Sequence, residues 1–143
     1  MLKRARVVAA LIYKDNKILI AQRPEKDPFA LKWEFPGGKV KVGEDDRTAL
    51  LREIEEELKV SVKIGKCVFE IDHDYPNLSV RLAFYWCEIL GGRQMTPCFH
   101  RCLEWVSPKE LEKYNFLEAD QPVLKQLRRG FVDKILNAQT SPF

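Results

Sequence analysis

Seven of the chain's 21 acidic residues fall within fourteen positions, from Glu44 to Glu57, and this stretch constrains the fold more than any other. The spacing predicts a helix over 45–60, with Leu51, Ile54 and Leu58 on one side of a 3.6-residue wheel. Glu53, Glu56 and Glu57 stand at i, i+3 and i+4, so at about 100° per residue they share one arc of that helix. Carboxylates this close repel one another, and only Arg52, four residues before Glu56, offers local compensation. Two readings follow. The arc is a solvated acidic face, or it is a cation site. Hard oxygen donors without Cys or His would favour Mg²⁺ or Mn²⁺ over Zn²⁺.

The residues just upstream bear on that choice. Pro36-Gly37-Gly38-Lys39 reads as a glycine turn joined to the helix by a short loop. Glycine lets backbone groups approach a ligand closely, and Lys39 adds a partner for phosphate. Before the turn, Arg6 to Tyr13 is a β-branched, apolar strand, Asp15-Asn16 a turn pair and Lys17 to Gln22 the returning strand. Arg23 to Leu31 is a loop, and Leu31 to Phe35 a short aromatic strand. After the helix, Cys67–His73 and Ser79–Ile89 are strands around Tyr75-Pro76-Asn77, followed by Leu103–Val106. Ser107-Pro108 starts a short helix. Asp120-Gln121-Pro122 starts the last one, in which Val123, Leu127, Phe131 and Ile135 recur every four residues. The sum is an α/β domain: a mixed sheet with helices packed on it.

Composition sets outer bounds. With 143 residues, 45% hydrophobic and 31% charged, the chain is expected to form one domain over 1–136, with 137–143 a frayed tail. A net charge of +3 without a clustered basic face argues against a nucleic-acid polymer as partner. No apolar run is long enough for a membrane span and no signal peptide is apparent, so a cytoplasmic protein with reduced thiols is expected. Cys98-x-His100-x-Cys102 lacks a partner pair spaced for zinc and reads as ordinary thiols.

From Gly38 to Val60 the sequence resembles the Nudix box, G-x5-E-x7-R-E-U-x-E-E-x-G-U, where U is aliphatic. Gly38, Glu44, Arg52, Glu53, Ile54, Glu56, Glu57 and Val60 match in register, and Lys59 stands where the family has glycine. That glycine would ease a left-handed residue at the helix end, so lysine there costs about 1 kcal/mol and none of the chemistry. Ala21-Gln22-Arg23-Pro24, Trp33 to Lys39, Glu104-Trp105-Val106 and Ala119-Asp120-Gln121-Pro122 resemble the MutT-like branch.

The resemblance implies a Nudix α/β/α sandwich and Mg²⁺-dependent hydrolysis, with Mn²⁺ as substitute, of a nucleoside triphosphate to monophosphate and pyrophosphate. Oxidised or modified nucleotides are included, which is nucleotide-pool sanitation. By position, Glu56 and Glu57 would hold the metal with the Gly37 carbonyl. Glu53 would activate water or share the metal, and Arg52 would orient a glutamate. The implied catalytic set is thus Glu53, Arg52 and Glu56, and Glu44 would brace the loop. Arg23 and Lys39 would face phosphates, while Glu34, Phe35, Pro36, Gly37 and Gly38 would line the nucleotide. Asp120 would read the base, an ionised carboxylate accepting two hydrogen bonds, or would merely cap the last helix. Tyr75, Trp33 and Phe35 are stacking candidates or plain core. Relatives often carry an acid where Phe99 stands here, and His100 is a candidate replacement. Two alternatives remain at this stage. One is a Nudix hydrolase of ADP-ribose, a dinucleoside polyphosphate or another diphosphate. The other is a nucleotide-binding module without turnover. A monomer or weak homodimer is expected.

Overall fold

The computed structural model describes residues 3–131. Strand β1 (Lys3–Lys14) turns through Asp15-Asn16 into β2 (Lys17–Gln22). Both turn residues have positive φ, 50° and 64°, as a two-residue hairpin loop requires. The short strands β3 (Trp33–Glu34) and β4 (Gly37–Lys39) follow, then helix α1 (Asp46–Leu58) and the long hairpin of β5 (Ser61–Tyr75) and β6 (Leu78–Leu90). Strand β7 (Cys102–Val106), 3₁₀ turns over Pro108–Lys113 and Glu118–Asp120, helix α2 (Gln121–Gln126) and a π-helical turn over Leu127–Phe131 close the described chain. The sheet runs β3-β2-β1-β6-β5, with β4 also on β1 and β7 also on β2. Among the described strands only β1 and β6 form a parallel ladder, so the sheet is mixed.

Alternation along β1 decides what lies on each face. Val8, Ala10 and Ile12 point to α1, where they pack with Ala49, Leu50, Ile54 and Leu58. Ala9 and Leu11 point the other way, into a core with Phe35, Phe84, Trp86, Phe116, Val123 and Leu127. Helical layers therefore cover both faces, as the α/β/α expectation had it.

Several local expectations need correction. The Pro36-Gly37-Gly38 segment is not only a turn: Gly37–Lys39 pairs with Val7–Ala9 of β1. A Cβ at Gly37 would collide with the Val8 carbonyl, so this pairing needs glycine. Leu51 is 41% exposed, and the helix buries Leu50, Ile54 and Leu58 instead, three residues in one i+4 row. Glu57 joins that buried side rather than opposing it. The strand expected over 31–35 is only Trp33–Glu34, because Leu31 takes φ 60° and ends the loop. Ser107 and Asp120 occupy N-cap positions, yet neither side chain makes a capping bond. Asp120 already has αR backbone angles, which turn its side chain from the cap. The four-residue stripe runs through Val123 and Leu127, after which Gly130 at φ 84° kinks the chain. Ile135 and the expected tail lie outside the described residues.

Candidate active site

Helix α1 begins cleanly. Asp45 accepts from the Thr48 N–H at 2.7 Å as N-cap. It ends at Lys59, held left-handed at φ 58° with its N–H on the Glu55 carbonyl. The lysine therefore takes the conformation the family's glycine would take. Between these ends, Arg52 gathers the acids. Its Nε and Nη2 donate to the two Glu44 oxygens at 2.8 Å each, and its Nη1 donates to Glu53 at 2.8 Å and Glu56 at 3.3 Å. Nη2 also reaches the Lys39 carbonyl at 3.1 Å. Glu44 in turn accepts from the Lys41 N–H, and with Arg52 beside it, its carboxyl is held down to about 2. One guanidinium thus ties α1 to the loop before it and to β4.

Glu53 packs over Gly38, where a Cβ would strike its carboxylate. Glu57 is buried. Desolvation first, then the charges of Glu34 and Glu53, lift its carboxyl to about 9, against the opposing hydrogen bond from the Gly37 N–H at 3.2 Å. This is an acid that only a nearby cation would keep ionised at neutral pH. Among the described residues, no three His, Cys, Asp or Glu side chains already converge into a metal cage, and Arg52 bridges Glu53 and Glu56. The donor set still fits a hard divalent cation: carboxylate and backbone oxygens, without sulfur or imidazole.

Glu53, Glu56 and Glu57 open on a cavity of about 850 Å³, lined also by Gly37, Gly38, Lys39, Arg23, Glu34 and Phe35. Val80, Leu82, Tyr75, Leu117, Ala119 and Asp120 line it as well, and the first three with Ala119 belong to the core on the face away from α1. Asp120 is 4% exposed, and burial with the charge of Glu34 holds its carboxyl well above the usual range. That shift favours the protonated carboxyl, one O–H donor beside one acceptor, over the ionised form with two acceptors. Trp33 stays in the core against the Tyr114 ring, 5.0 Å away, and away from this cavity. Phe35 packs on Phe84 and Phe116 yet reaches the cavity, and Tyr75 leans on Phe29 at 5.8 Å. The Pro36 side chain is absent from the lining, and the Pro36 carbonyl accepts from the Ala10 N–H.

Arg23 is more occupied than a free phosphate ligand. Its guanidinium forks onto Asp27 at 2.7 and 2.9 Å and onto both Glu34 oxygens at 2.9 Å. His100 does not join the α1 acids. Its Nε2–H donates to Glu34 at 2.7 Å. Cys102 Sγ contacts the Gln22 side chain, and Cys98 is exposed at the cavity. The web of Arg23, Asp27, Glu34 and His100 escaped sequence reading. Its one local signal was the opposite charges of Arg23 and Asp27, four residues apart in a loop between prolines.

This fold is that of a Nudix hydrolase. The model of the Nudix domain matches residues 7–126, and the chain belongs to that family. It is 38% identical over 125 residues to the CTP pyrophosphohydrolase of Escherichia coli K12, covering 87% of this chain and 91% of the relative. It is 36% identical over 124 residues to the putative 8-oxo-dGTP diphosphatase 2 of Mycobacterium tuberculosis H37Rv, covering 86% and 87%. Among solved structures, the E. coli ORF135 protein superposes with a TM-score of 0.79 at 34% identity, covering 93% of this chain and 94% of its own. The MutT Nudix hydrolase from methicillin-resistant Staphylococcus aureus 252 gives 0.73 at 43% identity, covering 90% and 98%. The MutT-like branch is thus shared across nearly the whole chain. Among the described residues, no helix is long and apolar enough to cross a membrane.

Proposed function

We propose that this chain is a Mg²⁺-dependent nucleoside triphosphate pyrophosphohydrolase, with Mn²⁺ as substitute, which releases pyrophosphate and a monophosphate. The observation that carries the reading is one cavity with two chemistries. Crowded carboxylates line it together with a buried Asp120 set among apolar side chains. Glu56 and Glu57, with the Gly37 backbone, would hold the cation. Bound there, such a cation would supply charge shielding for the triphosphate and Lewis acidity at the phosphoryl oxygens. Glu53, fixed by Arg52 and Gly38, accepts the proton of the attacking water. Lys39 at the rim meets phosphate oxygens, and Arg23 sets Glu34.

The neutral form of Asp120 favours a base edge with one acceptor beside one donor, such as N3 and the N4 amino group of cytosine. A guanine-type edge with two donors fits once Asp120 loses its proton. Cytidine triphosphate and 8-oxo-dGTP, named in two relatives, are therefore the first substrates to try. The test is pyrophosphate release with Mg²⁺ from CTP, dCTP, 5-methyl-dCTP, dGTP, 8-oxo-dGTP, ADP-ribose and a dinucleoside tetraphosphate, with Glu56→Gln as control. Release from a triphosphate that the variant abolishes supports the reading. Turnover only of ADP-ribose or the dinucleotide overturns it.

A further inference from the structure

His100 is the strangest residue in the described chain. Its side chain is fully buried, Nε2 lies 2.7 Å from Glu34, and Nδ1 is the one buried side-chain nitrogen or oxygen without a partner among the described residues. A buried polar atom left unmet costs stability, so the ring stays for what its other nitrogen does. The loop that carries it is stapled at both ends. Thr96 and Cys98 N–H groups donate to the Leu58 and Glu57 carbonyls at 2.9 Å, and the Arg101 N–H donates to the Gln22 carbonyl at 2.8 Å. The ring is therefore anchored both to the helix end that bears Glu57 and to the strand that leads to Arg23. Phe99 lies edge-on to it at 4.9 Å and covers the Arg23 guanidinium at 5.2 Å.

Glu34 is the group this arrangement serves. Arg23 bonds both of its oxygens and His100 adds a second donor to Oε2. Its charge reaches Glu57 on one side of the cavity and Asp120 on the other. We propose that His100 is a positioning residue for substrate binding: through Nε2–H it locks, together with Arg23, the Glu34 carboxylate that faces the nucleotide between the α1 glutamates and Asp120. This rests on the nucleotide-hydrolase reading above. A single Arg23 nitrogen, Nη1, meets both Glu34 oxygens, and a second donor on Oε2 from another segment fixes the carboxylate in rotation.

The experiment compares wild type, H100L, H100Q, E34Q and H100L/E34Q, all shown folded by thermal melting, using CTP or the triphosphate the panel selects. In H100L, KM rises about tenfold while kcat changes less than about threefold. H100Q keeps an N–H donor and stays within about threefold of wild type. In the E34Q background H100L adds less than about twofold, because His100 acts through Glu34. Multiplying effects in the double variant, or equal damage from H100L and H100Q, overturn the proposal. A second readout needs no turnover: NMR of the His100 ring shows a strongly hydrogen-bonded Nε2–H proton in wild type, and that proton moves upfield in E34Q, where a neutral amide replaces the carboxylate. If wild type releases no pyrophosphate, the functional reading fails. His100 is then judged by the ring spectrum and by CMP affinity, and no shift of the Nε2–H proton in E34Q or no affinity change in H100L sinks it.

Discussion

The two sides of the cavity are built in opposite ways. The carboxylate side comes from one continuous stretch, Gly37 to Glu57, and one arginine, Arg52, holds Glu44, Glu53 and Glu56. The opposite side is collected from four separate segments: the Arg23 loop, β3, the loop of His100 and the turn of Asp120. The first is a local device that a helix period creates. The second exists only once the sheet has brought distant residues together. On the proposed function this implies a division of labour: the local side would set the rate on every nucleotide, and the assembled side would decide which nucleotide is taken.

The largest expected effect breaks the first side. Glu57→Gln should lower kcat by about 10²–10³-fold on every triphosphate, read as pyrophosphate release at saturating substrate. Gly38→Ala comes next. Its Cβ displaces the Glu53 carboxylate and leaves β4 paired, so kcat falls about 10–10²-fold while thermal melting hardly moves. Gly37→Ala, which strikes the Val8 backbone, should instead lower the melting temperature clearly.

The third effect is a pH dependence. Glu57 keeps its proton up to about 9 in the folded chain, against the ordinary 4.5 when unfolded. Between those values the folded chain binds more protons, so rising pH favours unfolding. Asp120, also shifted upward, acts in the same direction. Metal-free protein should therefore melt at lower temperature as pH rises from 5 towards 9, and Glu57→Gln should flatten part of that slope. Mg²⁺ selects the ionised carboxylate, so its stabilisation should be larger at pH 8 than at pH 6. The smallest effect tests the assembled side at its edge. Asp27→Ala removes one partner of Arg23 and should raise KM about threefold at most.

The same contrast explains what the sequence could tell. The box from Gly38 to Val60 is legible because its spacing is its geometry: residues three and four apart on a helix are neighbours whatever else the chain does. The strands were legible by alternation, though the β5–β6 hairpin runs longer than expected, since its flanks alternate weakly around Gly65 and Lys66. Glu57 illustrates the limit. The period placed it in an acidic arc, but only the packing of β4 against α1 shows that it is buried. His100 and Glu34 lie 66 positions apart, and no local pattern joins them. Asp120 looked like a helix cap because Asp before Gln-Pro commonly is one, and the preceding 3₁₀ turn redirects it into the cavity wall.

One comparison tests the division of labour most directly: kcat/KM of wild type, Glu57→Gln and Asp120→Ala on CTP and 8-oxo-dGTP under the same Mg²⁺ concentration. The expected result is that Glu57→Gln depresses both substrates by the same factor, while Asp120→Ala changes their ratio by about tenfold. A changed ratio in Glu57→Gln, with equal losses in Asp120→Ala, would contradict it.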